Sequence, residues 1–190
     1  MEDKAIKFIF AATIFLTLLS CENDSHVRVY RLPKKAEAIQ QVTVPETIED
    51  FQLSWEKPPL WLEVSGHTMR LASFSAPFKQ GNADVSITSF PGKSGGMTSN
   101  VNRWLNQIGL ENMTDKEIND LKLEKLGNLG TYSYFKLLNQ SNKESAILAA
   151  IYQTEGRTVF LKLSASLDGA KELESEFLEF CESIALLKKL

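Results

Sequence analysis

Three β-prone runs stand almost end to end near the C-terminus: Gly130 to Leu138, Ala146 to Gln153 and Thr158 to Ala165. Only the polar stretch Asn139 to Glu144 and the turn Glu155-Gly156-Arg157 separate them. A parallel crossover needs a dozen or more residues, so connections this short force neighbouring strands to run antiparallel. The Ala146 run carries few charges and reads as a central strand. Beyond Ala165 the apolar period changes. Leu173, Phe177, Phe180, Cys181 and Ile184 recur at helical spacing, predicting a helix from about Asp168 to Leu186 with one apolar stripe.

The middle of the chain supplies the other half of the sheet. Met69 to Phe74 and Ala83 to Phe90 read as strands about a Gln80-Gly81-Asn82 turn, with Val85 and Ile87 on one face. Pro91-Gly92-Lys93-Ser94-Gly95-Gly96 is a loop, because three glycines in six residues do not hold a strand. Thr98 or Ser99 is placed to cap the next helix, whose apolar face is Val101, Trp104, Leu105 and Ile108. Gly109 falls where a helix C-terminal glycine belongs. Thr114 and Glu117 form a capping-box pattern for a second short helix, with Ile118 and Leu121 inward. Leu123 to Leu126 is a further strand, and Gly127-Asn128 a turn into the Gly130 run. Upstream, Trp55, Pro58, Pro59 and Trp61 make a rigid aromatic segment that either seals one end of the core or lines a cleft; sealing is the commoner role of aromatics at a small sheet's edge. The order strands, helices, strands, helix predicts an α+β domain over 51–190, an antiparallel β-sheet with helices packed on it.

The first twenty residues do not belong to that domain. Lys4 and Lys7 give a weakly basic start, and an uncharged, mostly apolar run extends from Phe8 to Leu19. This is the anatomy of an export signal. A bilayer-spanning helix needs about 20 apolar residues, which the run does not reach. Leu18-Leu19-Ser20-Cys21 resembles a lipobox, which implies cleavage before Cys21 and acylation of its sulfur. Residues 1–20 are then a signal peptide and 21–50 a lipidated cysteine and tether. Within the tether, His26 to Leu32 has the alternation of a short strand and Ala36 to Gln41 could form a helical turn. The anchor makes the membrane the first expected partner. Glu22 is not the aspartate associated with inner-membrane retention, which favours the outer membrane of the cell envelope.

Charge and cysteine usage limit the chemistry. The formal net charge is −3, which gives no reason to expect nucleic-acid binding. Lipidation of Cys21 would leave Cys181 as the one thiol, so no intramolecular disulfide is available. Cys181 lies on the apolar stripe and reads as a buried small hydrophobe. His26 and His67 are isolated and make no metal set of familiar spacing. No catalytic residue, metal or cofactor is expected. Gly92-Lys93-Ser94 ends like a P-loop, but Ile87 stands where that pattern needs its first glycine. A smaller role remains open for the loop. Lys93, Ser94, Gly95 and Gly96 lead into a helix start that favours anions, and Arg103 lies one to two turns on, so these five residues are the candidate anion- or partner-binding set. Asn100, Asn102, Arg103 and Gln107 either hold neighbouring loops by hydrogen bonds or face a partner, the first being commoner.

From Trp55 onward the chain resembles the PsbP superfamily. The resemblance is carried by Trp55 to Trp61 before a first hairpin, by the helix around Asn102 to Ile108, and by a final hairpin leading to Phe177, Phe180 and Ser183-Ile184. More locally, Met69-Arg70-Leu71-Ala72, Gly95-Gly96, Asn100 to Trp104 and Gln107 to Leu110 resemble a group of uncharacterised bacterial lipoproteins. The resemblance implies an α/β sandwich that works by binding partners or stabilising assemblies, with no shared catalytic motif. Two functional readings therefore stand. One is a membrane-tethered, non-catalytic binding or assembly module, its partner an envelope protein complex. The other is an exported hydrolase whose site is assembled across the fold.

Overall fold

The computed structural model describes residues 51–65 and 68–187. Cys21 and the tether elements expected between His26 and Gln41 lie outside them. Pro45–Leu190 forms a compact unit. Among the described residues, two hydrophobic clusters hold it, so the domain carries its own core.

Seven strands make one antiparallel sheet in the order β2-β3-β4-β8-β7-β6-β5. They are β2 (Leu62–Glu63), β3 (Ala72–Phe78), β4 (Gly81–Pro91), β5 (Leu123–Gly127), β6 (Gly130–Leu138), β7 (Ala146–Thr154) and β8 (Arg157–Ala165). A small pair, β1 (Leu53–Ser54) with β9 (Ala185–Leu186), joins the two ends of the described chain. The α+β class and the antiparallel sheet are as the sequence predicts. β8 holds the middle of the sheet, with β7 beside it.

The sheet is covered on both faces. Helix α3 (Leu167–Ser183) presses Leu173, Phe177, Phe180 and Cys181 onto Phe74, Val85, Tyr134, Leu148 and Leu161. On the other face, α1 (Gly96–Gln107) and α2 (Asp115–Leu121) set Val101, Trp104, Leu105 and Ile118 against Phe135, Ile147, Ile151 and Phe160. The Ala146–Tyr152 run of β7 is buried throughout because it lies between these two layers. Trp61 seals the α3 side, tilted against Phe180 at 4.9 Å and Phe74 at 6.0 Å between ring centroids.

Helix boundaries follow local chemistry. Thr114 and Glu117 form the reciprocal capping box of α2. The end of α1 is closed by Gly109 at φ +73°, with Leu110 N–H donating to Leu105 O at 2.9 Å and Gly109 N–H to Asn106 O at 3.2 Å. That is the bond pair of a Schellman motif.

Five expectations shift. The turn expected at Gly127-Asn128 is Asn128-Leu129, because Gly127 still pairs with Gly130 at the end of β5. The strand expected at Met69 to Phe74 runs instead from Ala72 to Phe78 and includes Pro77. Pro77 lies beyond the residues that β2 pairs, Phe74 and Ser75, so the proline forfeits no bond on that side. The hairpin turn is Lys79-Gln80, one residue early. Gly81 already pairs with Phe78, and a Cβ there would stand 3.3 Å from the Phe78 ring. Neither Thr98 nor Ser99 caps α1. The helix starts earlier, at Gly96, after a left-handed Gly95 and without a side-chain cap, and the Thr98 hydroxyl donates to Asp115. Finally, α3 stops at Ser183, not Leu186. The Ser183 hydroxyl bonds Phe180 O and accepts from Glu56 N–H, and the chain then extends into β9.

Candidate functional site

The register of β4 and β8 places Ser86 opposite Lys162 and Thr88 opposite Phe160. Strand side chains alternate between faces, so these four project toward α1 while Val85, Ile87 and Leu161 project toward α3. The helix returns Arg103, Trp104 and Gln107 to the same place. Between α1 and the sheet a groove of about 450 Å³ results, with Phe90, Trp104 and Phe160 among its walls and Arg70, Arg103 and Lys162 as its cations. The Trp104 and Phe160 rings meet edge to face at 6.0 Å.

The three cations are held differently. Arg70 engages Asp84 with both guanidinium Nη atoms, at 2.8 and 3.0 Å. Arg103 donates to the amide oxygen of Asn100 at 2.6 Å. Lys162 donates to the amide oxygen of Gln107 at 3.2 Å. Only Arg70 therefore has a carboxylate partner among the described residues. Burial lowers the pKa of the Lys162 ammonium, and the positive charges of Arg70 and Arg103 push the same way against the opposing pull of Asp84. The groove thus holds more positive than negative charge, part of it withdrawn from water.

The loop before α1 borders this groove at one corner. Gly92, Ser94, Gly95 and Gly96 all have positive φ. Buried Asn100 pins the loop by donating to Ser94 O at 2.9 Å and Gly96 O at 2.7 Å. Thr158 Oγ1 holds Gly92 O at 2.7 Å. Of the five residues singled out from sequence, Ser94 and Arg103 line one hollow of about 380 Å³ with Phe90, Asn100 and Phe160. The Lys93 side chain is exposed and makes no hydrogen bond or ion pair among the described residues, and neither Lys93, Gly95 nor Gly96 lines that hollow. Arg103 lines both the hollow and the larger groove. The other amides of α1 have local work. Asn102 exchanges two bonds with the backbone of Met113, at 2.8 and 2.9 Å, and fixes the approach to α2.

Sequence reasoning missed Arg70 and Lys162. A signal for Lys162 existed, since one lysine interrupts the apolar run Val159-Phe160-Leu161-Lys162-Leu163. Cys181 is fully buried, and burial raises its thiol pKa well above the usual range. No group of three or more metal-ligating side chains occurs among the described residues. No described helix is long and apolar enough to cross a membrane.

No family model and no curated protein matches the chain. Among solved structures it is similar to cyanobacterial PsbP from Synechocystis sp. PCC 6803, at 16% identity and a TM-score of 0.43, over 75% of this chain and 96% of that one. It is also similar to LpqN of Mycobacterium tuberculosis, a protein involved in cell envelope biogenesis, at 10% identity and a TM-score of 0.40, over 72% of this chain and 83% of that one. A protein from Bacteroides thetaiotaomicron matches at 16% identity and a TM-score of 0.42, over 72% of this chain. The chain spans 46% of the length of that protein. These are likenesses of fold alone.

Proposed function

We propose that the chain is a cell-envelope lipoprotein, tethered through Cys21, whose domain is a non-catalytic binding module. The observation that carries the binding role is the groove between α1, β4 and β8, where Arg103 and Lys162 are held by neutral amide oxygens. Such cations supply donors and positive charge to an incoming group. Acid–base or nucleophilic chemistry asks for a base in reach of the reacting atom. Asp84, the carboxylate that acts on Lys162, is occupied on both oxygens by Arg70. Ser86 and Thr88 thus sit in a setting suited to holding a ligand. The tether reading is supported by the run from Phe8 to Leu19 ending in Leu18-Leu19-Ser20-Cys21.

Fatty-acid metabolic labelling of the full chain and of Cys21→Ser tests the anchor. Label on the parent and none on the variant is expected, and equal label on both refutes the tether. Affinity capture from detergent-solubilised membranes, comparing the parent with Lys162→Glu and Lys93→Ala, tests the module. Loss of the captured species with Lys162→Glu alone is expected. Capture unchanged by Lys162→Glu would place binding outside the groove.

A further inference from the structure

We infer that the groove takes a monomeric anionic amphiphile, its charged head at Arg103 and Lys162 and its apolar body along Phe90 and Phe160 toward Met69 and Leu71. The inference rests on the groove being the binding site proposed above, and it names the class of ligand.

The head is argued from charge. Two cations with only neutral amide partners stand at the groove, Arg103 exposed at its rim and Lys162 partly buried, and a third, Arg70, is already matched by Asp84. For Lys162, charge withdrawn from water without an opposite partner is costly, and an arriving anion removes that cost, while Arg103 adds donors and charge at the mouth. The body is argued from what surrounds the cations. Phe90 and Phe160 pack at 6.2 Å and line both the groove and the adjoining hollow. At the outer end, Met69 lines the groove at 71% exposure and Leu71 is 53% exposed. Register extends this apolar margin. Ala72 and Phe74 point to the α3 side, so Leu71 lies on the α1 face, as do Leu62, paired with Ser75, and Val64, bonded at Ser73. Leu62 and Val64 are exposed as well. A small free anion would use the cations and leave this surface bare. A neutral lipid would cover the apolar surface and leave the charge unmatched. A head and a body on one molecule satisfy both, and about 450 Å³ lies within the range of small-molecule sites, roughly 300–1,000 Å³.

The test uses the compact unit Pro45–Leu190, which omits Cys21 and so removes any attached lipid from the measurement. Titration calorimetry compares dihexanoylphosphatidylglycerol below its micelle-forming concentration, dihexanoylphosphatidylcholine and inorganic phosphate. Amide chemical shifts locate the site. The phosphatidylglycerol should bind and shift amides of α1 and β8. The phosphatidylcholine and the inorganic phosphate should each bind more weakly by roughly tenfold or more, the worth of one charge-assisted contact or of the apolar body. Lys162→Met and Arg103→Gln, each checked for native near-ultraviolet circular dichroism, should weaken the phosphatidylglycerol by a similar factor, and Lys93→Ala should not. Equal affinity for the two lipids would show that charge is not read. Equal affinity for phosphate would show a free-anion site. No binding, or binding indifferent to both groove variants, would also overturn the inference. None of these results touches the Cys21 labelling, so failure here is distinct from failure of the tether.

Discussion

Gly127 closes β5 with its backbone in ordinary extended geometry, and alanine there would normally strengthen a strand by reducing the freedom of the unfolded chain. The surroundings reverse that sign. A Cβ at Gly127 would stand 2.3 Å from the Tyr152 hydroxyl, 3.0 Å from Glu182 Cα and 3.1 Å from Glu182 O. Neither wall yields easily. The Tyr152 hydroxyl donates to Cys181 O at 2.8 Å, its ring packs on Tyr132 at 4.8 Å, and the Glu182 carbonyl accepts from Asn128 N–H at 2.8 Å. Overpacking costs about 1–3 kcal/mol, and a buried hydrogen bond left unmade costs about 1–3 kcal/mol more. Gly127→Ala is therefore expected to cost about 2–6 kcal/mol, read as a lower urea midpoint with an unchanged slope. In a Tyr152→Phe background the hydroxyl is gone, so the same substitution should cost less by about 1 kcal/mol or more. A Gly127→Ala protein within about 0.5 kcal/mol of the parent would refute the packing argument. So would strict additivity with Tyr152→Phe.

Trp104 is 3% exposed and packs on Phe160, so Trp104→Ala should cost roughly 3–5 kcal/mol in urea unfolding. Lys93 is exposed in the glycine loop, and Lys93→Ala should change stability by less than about 0.5 kcal/mol; a large loss would make Lys93 part of the loop's scaffold. Cys181 is fully buried with a raised pKa, and a thiol reagent should label it in the Pro45–Leu190 unit only after denaturation. Rapid labelling of the native unit would put the α3 stripe facing the wrong way. Burial lowers the Lys162 pKa in the fold, so the unfolded chain binds its proton more tightly. The ammonium is then destabilising below the unfolded-chain pKa, and the parent gains stability as pH rises through the depressed pKa toward the ordinary lysine value near 10.4. Lys162→Met should raise the urea midpoint at pH 7, with the gap narrowing as pH approaches that value. A gap that does not narrow would exclude the charge as its cause.

Much of the fold is legible because it is decided locally. The α1 stripe, the Gly109 terminus, the Thr114 and Glu117 box, the last three strands of the sheet and the α3 stripe all follow from spacings within a dozen residues. What escaped the sequence depends on distant partners. Pro77 disguises the second half of β3, and only the short reach of β2, which stops at Phe74 and Ser75, shows why it is tolerated. Ser183 looks like an ordinary residue of a continuing helix until Glu56 arrives to bond its hydroxyl. Thr98 is a plausible cap until Asp115, seventeen residues on, takes its hydroxyl. The groove belongs to the same class. Arg70, Arg103 and Lys162 are each ordinary alone and meet because β3, β4 and β8 are neighbours with α1 crossing above them.

The limit of the second helical layer was nevertheless written in the strand patterns. On β7 the run from Ala146 to Tyr152 is apolar at every position, as a strand covered on both sides must be. On β4 the pattern alternates, with Ala83, Val85 and Ile87 apolar and Asp84, Ser86 and Thr88 polar, as for a strand dry on one side only. β8 lies between them and changes character along its length. Phe160 still packs under α1, and two residues later, on the same face, stands Lys162. The dry layer therefore ends between those two side chains, and the groove is that boundary. A boundary of this kind presents apolar surface on one side and polar surface on the other within one small site. That juxtaposition, more than the glycine loop whose composition drew attention first, suits the domain to a ligand that is itself half apolar and half charged.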